Sequence, residues 1–185
     1  MALPGLAALS GRPWFWAAIV GVLFSVPLVR GLTQGRPPAP PPLFEFFPNF
    51  SLRADDGSAF AATDLRGRPF IADLLCGDCA EGAEQLATMR QLQHRTRNLG
   101  DAVRLVSFSL GLDTARLREL RRDHAAGQRW TLLAGAPPEA ARFFPGANML
   151  LLVDGRLRIR GRYAAESTGE IERLLRDAAL LTALP

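Results

Sequence analysis

The sequence predicts an α/β fold, a single domain with a central sheet covered on both faces, carried behind an N-terminal transmembrane helix. Three observations support it. Strand-like and helix-like periodicity alternate from Pro48 to the end of the chain. The only two cysteines, Cys76 and Cys79, fall where a buried strand hands over to a helix. An uncharged apolar run, Pro13 to Val29, precedes a proline-rich stretch.

The apolar run is bracketed by Arg12 and Arg30. As a helix it would be about 26 Å long, the short end of a membrane span. Trp14 and Trp16 stand at one end, where indole rings favour the membrane–water interface. A cleaved signal peptide would need small residues at a cleavage site after the run, and the following residues do not supply one. Gly35 to Pro42 reads GRPPAPPP, a stiff extended spacer. The expected organisation is therefore an anchor segment at 1–34, a linker at 35–47 and a folded domain at 48–185. Arginines flank both ends of the apolar run, so charge alone fixes the topology poorly.

From Pro48 the elements follow in order. Phe50-Ser51-Leu52 and Ser58-Ala59-Phe60 flank an Asp55-Asp56-Gly57 turn and predict a hairpin. Pro69 to Leu75 is a buried strand. Leu86, Met89, Leu92 and Leu99 mark a helix whose apolar side faces the core. Val103 to Leu110 is a second buried strand. Asp113 or Thr114 caps the helix carrying Leu117 and Leu120. Trp130 to Leu133 is a short strand, and Pro137 opens a short helix. Met149 to Val153 and Leu157 to Ile159 flank Asp154-Gly155, a hairpin signal. Ser167 precedes Glu170 by three residues, the spacing of a capping box, and a last helix runs to about Leu181. A C-x-x-C beside such an alternation predicts a thioredoxin-like domain.

All 22 basic residues are arginine. The absence of lysine excludes a phosphate loop and Schiff-base chemistry. The arginines alternate with acids, as in Arg116 to Asp123, which predicts a solvated surface and no nucleic-acid site. His94 and His124 fall among charged residues of predicted helices and read as surface histidines. Asp55-Asp56 and Asp154-Gly155 read as turn residues.

The chemistry is therefore expected at Cys76 and Cys79, as catalytic thiols and as candidate metal ligands. Thiols at a helix N-terminus gain thiolate character from unpaired amides and the helix dipole. Two of them three residues apart close a disulfide, exchange with a partner or bind a soft metal such as Cu(I). The alternative is an inert pair. Asp73 on the buried strand either acts on the thiols, by accepting a proton or raising their pKa, or points outward.

The stretch PNFSLRADDGSAFAATDLRGRPFIADLL, followed by MRQLQHRT, DAVRLVSFSLGLDT, RWTLLAG and LLLVDGRLRIRGRY, resembles the Sco/SenC family of cytochrome c oxidase assembly proteins. The resemblance implies a membrane-anchored thioredoxin-like fold, copper bound through two cysteines and a distant histidine, and a role in copper delivery or thiol–disulfide reduction. Its implied partners are a respiratory copper oxidase subunit or its assembly factors, reached from the periplasmic or extracytoplasmic side of the cell membrane. The chain departs from the pattern in its chemistry. The family spacing is C-x-x-x-C. An ungapped register puts the family's first cysteine on Cys79 and its second near Ala83, leaving Cys76 as an extra thiol on the strand. A gapped register matches Cys76 and Cys79 to the pair, with Cys76 the more exposed nucleophile. The family histidine is replaced by Pro145-Gly146-Ala147-Asn148, with Met149 the nearest soft donor. CGDC, with Ala80-Glu81 and Leu86 after it, also resembles the CGPC of secreted thiol–disulfide oxidoreductases, though their cis-proline is replaced by Asn148 or Met149. A non-catalytic thioredoxin-fold binding module is the remaining reading.

Overall fold

The computed structural model describes residues 13–34, 41–77, 79, 81–146 and 148–183. Two units divide the chain, Met1–Ala39 and Pro40–Pro185. In the first, α1 spans Pro13–Gln34, 22 residues, covering the apolar run and continuing past Arg30. Among the described residues no helix is long and apolar enough to cross a membrane. The spacer residues 35–40 lie outside the described residues, as do Asp78, Ala80 and Ala147.

The second unit follows the expected order: β1 (Ser51–Ala54), β2 (Ala59–Ala61), β3 (Phe70–Cys76), α2 (Gly82–Arg95), β4 (Arg104–Leu110), α3 (Thr114–Asp123), β5 (Trp130–Ala134), α4 (Ala140–Phe143), β6 (Met149–Val153), β7 (Ile159–Ala164) and α5 (Thr168–Ala183). The strands form one sheet in the order β2-β1-β5-β4-β3-β6-β7. β3, β4 and β5 run parallel, while β6 pairs antiparallel with β3. β3 thus lies between β4 and β6, and its last residue, Cys76, is delivered to the middle of one sheet end.

The two faces are covered by different means. On one, α2, α3 and α5 lay Leu86, Met89, Leu92, Leu117, Ile171 and Leu174 on Ile71, Leu105, Leu132 and Leu150. On the other, Phe47, Phe50, Phe143 and Phe144 pack on Phe70, Val106, Phe108 and Leu151. Phe47 meets Phe70 edge-on at 5.5 Å and stacks on Phe108 at 5.8 Å, so aromatic rings fill the layer that a helix would occupy.

Several local expectations need correction. The Phe44 amide donates to the Ile159 carbonyl (2.9 Å), Phe47 to Leu157 (2.7 Å) and Ile159 to Glu45 (2.7 Å). Residues 44–47 are therefore a strap along the β7 edge, part of the folded unit, and they satisfy an edge that would otherwise be open. α2 ends at Arg95, and Leu99 lies in the following 3-10 turn, Arg97–Ala102. Pro137 does not open α4: its carbonyl accepts from the Ala140 amide, and the chain turns first through Glu139 in a left-handed conformation. β7 begins at Ile159 because Leu157 is also left-handed, at φ 60°. Asp55 is more than a turn residue. It is buried and gripped by Arg121, which also donates to the Trp130 carbonyl (2.8 Å), clamping the β1–β2 turn to α3 and β5. Asp113 caps α3 through the Arg116 amide, and Ser167 accepts from the Glu170 amide, both as expected.

Candidate functional site

Cys76 closes β3, paired with Leu110 of β4, and the chain leaves the sheet only at Gly77. Cys76 and Cys79 form a disulfide across a Cα–Cα distance of 5.5 Å. Cys79 is exposed and Cys76 half-buried, the reverse of the order expected for the gapped register. The strand ladder explains this, since it holds Cys76 inside the sheet end while Cys79 rides on the loop beyond it.

Two residues of α2 fix this loop. Gln85, itself buried, accepts the Cys76 amide through its Oε1 at 3.1 Å. Gly82 donates its amide to the Cys79 carbonyl at 3.2 Å, and a Cβ on Gly82 would collide with the carbonyl oxygen of Cys76. Both cysteines are thus tied to the first turn of α2, whose N-cap Glu81 makes no side-chain cap. A thiolate formed at Cys79 stands ahead of that uncapped turn, at the positive end of the helix dipole. Neither Gly82 nor Gln85 was singled out from the sequence. The available signal was a polar residue at Gln85 on the stripe that continues through Met89 and Leu92.

Asp73 points inward. It is 3% exposed, and neither carboxylate oxygen has a hydrogen-bond partner in the protein. Burial pushes its pKa up to about 7; Ser107, its neighbour in the parallel register, is close enough to oppose this in part without meeting hydrogen-bond geometry. It shares a small cavity with Gln85, Thr88 and Asn148. An odd spacing along a strand puts Asp73 and Cys76 on opposite faces, so Gln85, which touches both the cavity and the Cys76 amide, is the link between them.

The other candidates are not at the loop. His94 is exposed in the last turn of α2, and His124 ends α3. Met149 begins β6 and packs against the phenylalanine core. Asn148, at φ 62°, donates from Nδ2 to Glu166 at 3.0 Å and leaves its Oδ1 unpaired. Among the described residues no group of three His, Cys, Asp or Glu side chains could hold a metal ion. The residues present do not fit the two-cysteine, one-histidine copper set: the sulfurs are bonded to each other, and Pro145-Gly146-Ala147-Asn148, the stretch where the resemblance places the imidazole, contains no histidine.

No family model matches the chain, and no curated protein matches it. Solved structures do. A SCO1/SenC family lipoprotein from Bacillus anthracis superposes with a TM-score of 0.68 at 21% identity, covering 77% of this chain and 99% of that one. BsSco, described as a member of the Sco family of cytochrome c oxidase assembly proteins with a disulfide switch, gives 0.66 at 19% identity, covering 78% and 97%. Bradyrhizobium japonicum ScoI with copper bound gives 0.58 at 15%, covering 74% and 99%. At these identities the likeness is one of fold, and that fold is the thioredoxin-like one.

Proposed function

We propose that this chain is a Sco-like thiol–disulfide protein acting on an extracytoplasmic respiratory copper oxidase or its assembly factors, tethered to the membrane by α1. The observation that carries the redox part is the disulfide Cys76–Cys79, with Cys79 exposed, set at the end of a central strand and tied to the first turn of α2. A partner dithiol supplies the electrons. Its thiolate attacks Sγ of Cys79, the accessible sulfur, and Cys76 leaves as a thiolate. The partner's second thiol then attacks the mixed disulfide, oxidising the partner and releasing Cys79. Two electrons and two protons pass to the pair. The likeness to BsSco, a protein described by its disulfide switch, supports this reading over copper delivery, since among the described residues no third His, Cys, Asp or Glu side chain joins the pair.

Alkylation of the reduced chain tests it. Cys76→Ser should keep fast labelling, through Cys79, and Cys79→Ser should lose it. If neither thiol reacts faster than a free cysteine at neutral pH, and mild oxidation does not restore the bond, the redox reading fails and a non-catalytic binding module replaces it.

A further inference from the structure

The strap along β7 carries an exposed apolar row. Leu43 is 53% exposed, Phe44 53% and Phe46 71%. Phe46 bridges Arg158 antiparallel, so the ring and the guanidinium stem start from the same side of the strap. Arg162 lies over the Phe44 ring at 5.7 Å. Arg160 donates to the Pro41 carbonyl at 3.1 Å. Aromatic rings and arginines thus alternate along one edge of the domain.

The charges there do not cancel. Asp154 is shared by Arg158 (2.9 Å) and Arg160 (2.8 Å), and Arg156 lines the same groove. Glu45 is shared by Arg142 and Arg162, with Arg142 also reaching Glu139. Burial would raise the Asp154 carboxyl, but the Arg158 and Arg156 amides and the two guanidinium groups outweigh it and hold it below the usual carboxylate range, so it stays charged. Five arginines face three carboxylates, and the surplus is positive.

We propose that this edge, Leu43–Phe46 with Arg158, Arg160 and Arg162, is a docking surface for an anionic phospholipid leaflet. Headgroup phosphates are drawn to the net positive charge of this edge, most exposed at Arg142 and Arg156 beside the surface, and the boundary beneath them accepts aromatic rings. Charge complementarity beside a row of exposed apolar side chains favours an anionic bilayer over another partner. The proposal extends the membrane location proposed above, while the charge and the exposed rings stand without it.

The test uses the full chain with vesicles of neutral or anionic phospholipid. A nitroxide on Phe46→Cys reports water exposure, since both native cysteines are paired. A second label on Glu119→Cys, in α3, serves as control. At Phe46 the collision rate with a water-soluble nickel chelate should fall several-fold on anionic vesicles, recover in 0.5 M salt on the order of a Debye length of about 4 Å, and stay unchanged at the control. Equal exposure at both sites, or protection that ignores lipid charge and salt, overturns the proposal. Flotation separates it from the anchor. A chain that floats only with anionic vesicles, with Phe46 protected, keeps the surface and loses the anchor; one that floats with neither loses both.

Discussion

Asp73 is charged at a cost. In the unfolded chain its carboxyl titrates at the ordinary value of 3.8, whereas burial holds it near 7 in the folded one. Between those values the folded state carries the extra proton, so stability falls as pH rises through the window. The contribution is greatest below 3.8, is lost as pH climbs through about 7, and reaches at most about 4 kcal/mol. Asp73→Asn should therefore match the parent near pH 4 and exceed it by a few kcal/mol at pH 8, measured as urea midpoints with the disulfide intact. Parallel pH profiles for the two proteins would show that Asp73 has found a partner or solvent. The residue was visible in the sequence as an acid in an apolar strand, but its direction was not. Alternation fixes which residues share a face, and only packing reveals which face has a helix above it.

At the scale of the element, the first turn of α2 sets the geometry of the cysteine loop. Gly82→Ala forces a methyl group against the Cys76 carbonyl, an overpacking expected to cost about 1–3 kcal/mol. It should also slow re-formation of the disulfide after reduction. Gly169→Ala, in the first turn of α5, meets nothing closer than 3.8 Å and should be neutral or slightly stabilising. Thermal melts and thiol re-oxidation rates compare the two; equal effects would remove the special role of Gly82. Most elements were legible from periodicity and caps, because Leu86, Met89 and Leu92, or Asp113 before Thr114, act locally. The strap was not. Its role depends on pairing with β7, more than a hundred residues away, and the prolines before it read as spacer. The order of exposure in the cysteine pair was hidden for a related reason, since Cys76 is held by its register with Leu110.

At the scale of the molecule, no third His, Cys, Asp or Glu side chain joins the cysteine pair among the described residues. Once reduced, the chain offers two thiolates, which suit Cu(I) and fall short of a Cu(II) set. Titration of the reduced chain should accordingly show Cu(I) bound and Cu(II) weakly held, with no nitrogen ligand in the spectra; tight Cu(II) binding with a nitrogen donor would contradict the site described above. The strap has a mechanical consequence as well. Any pull on residues ahead of Pro41 enters the domain through a few main-chain hydrogen bonds along β7 and then through the Phe47 ring, which is wedged among Phe70, Phe108 and Phe143. Tension strong enough to peel the strap would draw that ring out of the second core, so the seam where load arrives is also the plug of the layer opposite the long helices.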